Sequence, residues 1–356
     1  MSSHIQSAGA SHPSSPSPSY TSSTPSMRFV GVDTTGLTPK KCIEISFDLF
    51  NTSIRQGFAT SPSEVSYQDH IAKSHQAIIS ASQSHESRDS VVVLGVGPLE
   101  PIDILVQRYA HVILVDYDSQ NLEAIRDSLP SDQQSKLRLI KKDLTGGAYQ
   151  KIQTVFEQVL QMKAGHTNAA CIDALLTQCT QVLSSHIPPE KLSFTKGDQT
   201  DEVAEVDFVI SSLVASQLEF YLKKTIENFI RLNLDITILK IDDYLNDSSN
   251  PVKKQCLAAL RIFNENMRKT HFVHLANLVN ERGSVYFADT LSTAAADPCA
   301  QEEHSTATKQ LMSQAKFKIT ELGQWIWRPK NHFDRPVRAY LLQKPHTNSN
   351  WFCHIL

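Results

Sequence analysis

Residues 91–101 read VVVLGVGPLEP, and the reading of this stretch decides the fold. Val91–Gly95 reads as a continuous run rich in β-branched residues, the pattern of a strand buried on both faces of a parallel sheet. Gly95 and Gly97 follow, where backbone can turn tightly and let a ligand approach closely. Pro101 suits the first turn of a helix, and Ile102, Leu105, Val106 and Tyr109 then recur at helical spacing. The unusual residue is Glu100, a carboxylate where a Gly-x-Gly-x-x-Gly phosphate loop carries its third glycine.

Outward from this unit the alternation continues. His111–Val115 (HVILV) reads as a second strand ending in Asp116, Asn121–Leu129 as a short helix, and Leu137–Ile140 as a third strand leading to Lys142 and Asp143. Strands alternating with helices at this spacing imply right-handed crossovers and an α/β, doubly wound, mostly parallel sheet. From 146 to 205 the pattern turns helical, through Ile152, Val155, Phe156, Val159 and Leu160 and then Ala169–Leu183, an insertion before the fourth strand, Val206–Ser211. Residues 217–232 predict a helix with Leu218, Leu222, Ile226 and Phe229 on one face, and 236–275 are mostly helical after Pro251. Strand-like runs return at Ser284–Ala288, Phe317–Trp327 and Val337–Leu342, and an amphipathic helix is expected over 63–80.

Residues 1–26 hold eleven serines and four prolines and no Lys, Arg, Asp or Glu. Such a stretch buries too little apolar surface to offset its ordering entropy, so it reads as a disordered tail. The organisation expected is a tail over 1–27, one domain over 28–345 with helical insertions around 146–205 and 236–280, and a C-terminal tail over 346–356.

A formal charge of −3 and scattered Lys pairs argue against a nucleic-acid partner, which calls for a basic excess. The six cysteines form no C-x-x-C and a chain this long needs no disulfide staples, so reduced thiols and a cytoplasmic location are expected. No 18-residue apolar run exists to span a membrane, and the N-terminus lacks the pattern of a secretory signal.

In open α/β sheets, ligands bind outside the carboxyl ends of the strands, where the strand order switches. Asp116 stands twenty-one residues past Gly95, the spacing at which a carboxylate accepts hydrogen bonds from the hydroxyls of an adenosine ribose. The ligand is then a dinucleotide or S-adenosylmethionine. Glu100 would face the two phosphate charges of a dinucleotide in a low-dielectric cleft. S-adenosylmethionine has no phosphate, and its ammonium can be accepted by a carboxylate, so Glu100 disfavours NAD and is compatible with the sulfonium cofactor.

The runs VVVLGVGPLEP, VILVDYD, LRLIKKDL and VDFVISSLVASQLE resemble the cofactor motifs of class I S-adenosylmethionine-dependent methyltransferases over residues 65–235. The resemblance implies a seven-stranded sheet whose last two strands form an antiparallel hairpin. It implies backbone contact to the methionine end around Gly95–Leu99, through Gly95, Val96, Gly97 and Pro98, where Glu100 or Asp103 stands in for the carboxylate that the family pattern carries. It places Asp116 at the ribose, Tyr117 beside the adenine, and Asp143 and Leu144 near the base. Ser211 and Ser212 would line the path to a small-molecule or protein methyl acceptor. Two positions depart from the family pattern: Val93 stands where an acidic residue is frequent, and Leu99 where a third glycine is. The fourth strand also lacks the (Asp/Asn)-Pro-Pro-(Tyr/Phe) tetrapeptide, which disfavours methylation of nucleic-acid bases. A non-catalytic interaction module of the same fold and a nicotinamide-dependent oxidoreductase are the two alternative readings.

Three further features have bland explanations. His271-x-x-His274 has zinc spacing but no third ligand nearby, so no metal is expected. Trp325 and Trp327 alternate with Ile326 and share one face of a strand, as packing residues do. Cys353-His354-Ile355-Leu356 matches C-a-a-X, which makes Cys353 a lipidation candidate and peripheral membrane association its consequence.

Overall fold

A computed structural model describes residues 64–84, 87–97, 99–189, 191–192, 205–234, 244–245, 249–290, 298–327 and 335–345. The expected N-terminal tail, the C-terminal tail with Cys353, and Pro98 lie outside the described residues.

The described chain runs α1 (Glu64–Ala81), β1 (Ser90–Leu94), α2 (Ile102–Arg108), β2 (His111–Asp116), α3 (Ser119–Asp127), α4 (Ser131–Gln134) and β3 (Leu137–Lys141). It continues through α5 (Ala148–Met162), α6 (Asn168–Ser185), β4 (Val206–Ser212), α7 (Val214–Asn233), α8 (Pro251–Leu278), β5 (Val279–Thr290), α9 (Pro298–Gln314), β6 (Lys318–Trp327) and β7 (Arg335–Gln343). The seven strands form one sheet in the order β3-β2-β1-β4-β5-β7-β6. β1 to β5 are parallel, and β7 lies antiparallel between β5 and β6. This is the expected α/β, doubly wound, mostly parallel seven-stranded sheet with its last strands antiparallel, and its strand order switches between β1 and β4.

The strand assignments follow from burial. Val91–Leu94 and Val112–Val115 are closed off from solvent on both faces, as their unbroken apolar runs require. One face packs Ile78, Val91, Val93, Leu105, Val106, Leu114, Phe208, Ile210 and Tyr286 under α1, α2 and α3. The other packs Val92, Leu94, Val209, Val285, Phe287 and Tyr340 under α9 and the last two turns of α8. Trp325 and Trp327 are buried on the first face, where the Trp325 indole N–H donates to His70 Nδ1 of α1 (2.7 Å).

The departures from the sequence reading lie at element ends. α3 begins at Ser119 because Asp118 caps it, its carboxylate accepting from the Gln120 and Asn121 N–H groups. β5 extends back to Val279, passing a bulge between Val206 and Phe208 of β4. Gly283 makes the bulge possible, since a Cβ there would come within 2.5 Å of the Asp207 carbonyl. α7 starts at Val214, directly after a single left-handed residue, Leu213 (φ 60°).

A third core stands apart from the sheet. Ile152, Val155, Phe156 and Val159 of α5 pack with Leu175, Leu176 and Cys179 of α6, Leu222, Ile226 and Phe229 of α7, and Cys256, Leu260 and Phe263 of α8. Phe156 and Phe229 stack at 4.1 Å between ring centroids. The position of this four-helix bundle follows from α8. Its last residue leads into Val279, which pairs with Val206 at the amino end of β4, whereas His271 and Arg268 reach Ser211 and Asp289 at the carboxyl ends of β4 and β5. The seventeen residues before Arg268 therefore project about 25 Å beyond the carboxyl edge at 1.5 Å per residue. The described helices of the insertion expected at 146–205, α5 and α6, are half of this bundle, which stands beyond the carboxyl ends of the strands.

Candidate functional site

The site is built at the crevice between β1 and β4. Gly95 leaves β1 with φ 69°, a conformation glycine adopts freely, and its N–H donates to the Val115 carbonyl (2.9 Å). The Val96 side chain is buried, and its backbone is held on both sides. Its N–H donates to Asp116 Oδ2 (2.8 Å), and its carbonyl accepts from Asn121 Nδ2 (2.9 Å). The Gly97 N–H donates to Glu100 Oε2 (2.7 Å), so the loop closes on its own carboxylate.

Glu100 is 5% exposed and lies at the switch point, with Ser212 of β4 and Tyr286 of β5 as neighbours. Burial pushes its carboxyl up to about 7; the Ser212 hydroxyl and the Gly97 N–H pull it down, and the Asp116 charge adds to the rise. Burial and the Glu100 charge together push the Tyr286 phenol up, and the Tyr286 hydroxyl has no hydrogen-bond partner. Asp116 Oδ1 accepts the Asp118 N–H (2.8 Å), and burial raises its pKa against the pull of the Asp118 and Val96 N–H groups.

At the end of β3, Asp143 Oδ1 accepts from the Thr145 N–H (2.8 Å) and hydroxyl (2.5 Å). Its Oδ2 is buried and has no partner. Leu144 packs at the edge of the second sheet-face core. Tyr117 lies edge-on to Tyr149 of α5 (5.1 Å) with Lys141 over its ring (5.7 Å), where it joins sheet and bundle.

β4 ends in two serines that face opposite ways, as successive strand residues must. Ser212 turns toward Glu100. Ser211, fully buried, meets His271 Nε2 at 2.8 Å, and burial drives that imidazole down to about 3. His274 Nε2 donates instead to the Pro189 carbonyl (2.6 Å). The two histidines of His271-x-x-His274 thus serve different partners, and among the described residues no group of three metal-ligating side chains forms.

The strand ends thus bring Gly95, Val96, Gly97, Glu100, Asp116, Asp143 and Ser212 to one edge, while Ser211 belongs to a buried polar seam on the other face. That seam continues through Asp289, which accepts from Arg268 Nη2 (3.0 Å) and lies 3.4 Å from His304 Nε2. Sequence reading missed the seam, Asn121 and His186; only Asn121, in the first turn after a capping Asp, carried a local signal.

No protein-family model and no curated protein matches the chain. Among solved structures it is similar to the N-methyltransferase NodS from Bradyrhizobium japonicum WM9, determined with S-adenosyl-L-homocysteine. That likeness has 8% identity and a TM-score of 0.37, over 82% of this chain and 97% of NodS. It is also similar to the glycopeptide N-methyltransferase MtfA in complex with S-adenosyl-L-methionine, at 8% identity and a TM-score of 0.35, over 76% of this chain and 86% of MtfA. Trm5b from Pyrococcus abyssi matches over 75% of this chain at 8% identity and a TM-score of 0.34, and the chain spans 48% of the length of Trm5b.

Proposed function

We propose that this chain is an S-adenosylmethionine-dependent methyltransferase acting on a small-molecule or protein acceptor. The observation that carries the reading is the acidic crevice: Glu100, Asp116 and Asp143 stand at the ends of three adjacent strands beside the switch point. Two phosphates placed there would meet three carboxylates in a site of low dielectric, where like charges repel far more strongly than in water. A ligand with a positive centre and no phosphate is attracted by the same field.

The residues fit that cofactor. Asp143 Oδ2 is an unsatisfied acceptor for an exocyclic amine of the base. Each oxygen of Asp116 accepts one N–H, and since a carboxylate has about four acceptor sites, both ribose hydroxyls still find lone pairs. Ionised Glu100 accepts the ammonium of the amino-acid end. When bound, the cofactor supplies a methyl group already activated on a sulfonium. What remains for the chain is positioning: an acceptor held in line converts a bimolecular step into an effectively unimolecular one. The bundle of α5–α8, projecting beyond the carboxyl edge, supplies the wall against which the acceptor is held and from which water is excluded.

Titration of the purified protein with S-adenosylhomocysteine and, separately, NAD tests the reading by calorimetry. Micromolar binding of the first is expected. Binding of NAD alone would sink the proposal in favour of an oxidoreductase, and binding of neither would favour a non-catalytic interaction module. Label transfer from methyl-labelled cofactor into fractionated cell extract then identifies the acceptor class.

A further inference from the structure

We infer that His186 reads the base of the bound cofactor: its imidazole donates a hydrogen bond to a ring nitrogen of the purine while Asp143 takes the exocyclic amine. This rests on the methyl-donor reading above and assigns a specificity role to a residue outside all four strand-end motifs.

His186 is the first residue after α6 and is 6% exposed, yet neither of its ring nitrogens completes a hydrogen bond. Burying such a group unsatisfied is costly, so the vacancy calls for a partner. Burial and the Lys151 charge lower the His186 pKa, against the pull of the Asp143 charge and of the Thr145 carbonyl, which faces the ring without completing a hydrogen bond to it. The ring is therefore neutral at physiological pH, with one donor nitrogen and one acceptor nitrogen. Asp143, 8% exposed, holds its one orphan atom, Oδ2, in the same neighbourhood.

The placement is built rather than accidental. Gly146 has φ +68°, and a Cβ there would lie 2.6 Å from Pro189 Cδ and 3.5 Å from His186 Nε2. The segment from His186 to Pro189 thus rests directly on the turn that leaves β3. It is pinned at its far end, where the Pro189 carbonyl accepts from His274 (2.6 Å), and at its near end the His186 ring lies 5.5 Å from that of Phe263. Packing fixes the segment, yet three polar atoms beneath it stay unsatisfied. A heteroaromatic ring with an amine beside a ring nitrogen completes the Asp143 oxygen and the donor nitrogen of His186 at once, and adenine is such a ring.

Calorimetric titration of the full chain and its His186→Ala and His186→Gln variants tests this, with S-adenosylhomocysteine and its analogue lacking the 6-amino group as probes. His186→Ala is expected to weaken S-adenosylhomocysteine binding about tenfold, the loss of one net hydrogen bond to a ligand. His186→Gln keeps a side-chain N–H and should recover to within about threefold of the parent chain, by the same hydrogen-bond arithmetic. The penalty for losing the amine, which Asp143 governs, should be equal in the parent and in His186→Ala. His186→Ala binding within about twofold of the parent overturns the His186 role and leaves the methyl-donor reading intact. A parent chain that does not bind S-adenosylhomocysteine overturns both. Independently of any variant, saturation of the parent should shift one imidazole nitrogen resonance of His186, and unchanged resonances would defeat the proposal.

Discussion

The two ends of the sheet both bury carboxylates, and they treat them in opposite ways. At the amino end, Asp207 is saturated: Oδ2 accepts from the Ser87 hydroxyl (2.6 Å) and the Asp89 and Ser90 N–H groups (2.9 and 3.1 Å), and Oδ1 accepts from Asn280 Nδ2 (2.8 Å). Burial would raise its pKa, but these donors together hold it below the usual carboxylate range. At the carboxyl end, Glu100 accepts one backbone N–H, Asp143 keeps an orphan oxygen, and the Tyr286 hydroxyl has no partner. Burial is common to both ends; the supply of donors is what differs. A saturated carboxylate is a rivet that ties the approach to β1 onto β4 and β5. An undersupplied one keeps acceptor capacity that the protein itself does not fill, at a cost in stability.

The largest expected effect tests the rivet. Asp207→Ala strips four donors of their acceptor, and chemical denaturation should show a loss of about 3–5 kcal/mol, the range for breaking a buried hydrogen-bonded charge. A loss under about 1 kcal/mol would mean that the clamp is incidental.

Glu100→Gln should act in the other direction. The folded-state pKa of Glu100 lies near 7, above its ordinary 4.5, so its stabilising share is complete below pH 4.5 and lost as pH rises through 7. The ligand-free chain should therefore lose up to about 3 kcal/mol across that window from this group. At pH 8 the Gln variant should regain most of it, while losing the acceptor for the ligand's ammonium. Asp207, held low, works with the opposite sign: its contribution stands at neutral pH and is lost only in acid. Denaturation midpoints measured from pH 4 to 8 on both variants separate the two signs; parallel curves would dissolve the distinction.

Ligand binding sharpens the comparison further. If ionised Glu100 accepts the ammonium, affinity for S-adenosylhomocysteine should climb as pH rises through 7 and then level off, and Glu100→Gln should flatten the profile. Asp116→Ala should weaken the same ligand about tenfold, both through the ribose and through release of the Val96 N–H. Unchanged affinity would remove the ribose from Asp116. The smallest effect is the control. Asp69 pairs with Lys73 on the exposed face of α1, and Asp69→Ala should change stability by no more than about 0.5 kcal/mol. A carboxylate in water tells nothing about either end.

Much of this site was legible before any coordinates. The apolar runs at 91–94 and 111–115, the two glycines and the Asp116 spacing are local patterns, and they place a crevice at the strand ends. The bundle was legible only as helices. That α5 and α6 pack with the far halves of α7 and α8 depends on where two long helices leave the sheet, and one left-handed residue sets the departure of α7. Leu213 turns its own side chain into one sheet face and delivers Val214 and Ala215 to the other. Nothing in a leucine announces φ 60°, since that conformation is costly for it and survives only where the surroundings hold it.

The sequence by itself determined the first strands, the doubly wound class of their sheet and the acidic character of its carboxyl edge, because strand burial, turn glycines and charge are properties of neighbouring residues. The tertiary structure alone decided what each carboxylate is for. Glu100 and Asp207 are both buried acids beside a strand, and sequence cannot count the donors around them. The donors of Asp207 come from residues more than seventy positions away, such as Ser87 and Asn280, whereas the N–H that Glu100 accepts is that of Gly97, three residues before it. His186 belongs to the same class: it sits at the end of an inserted helix, and only folding brings its unsatisfied ring beside Asp143.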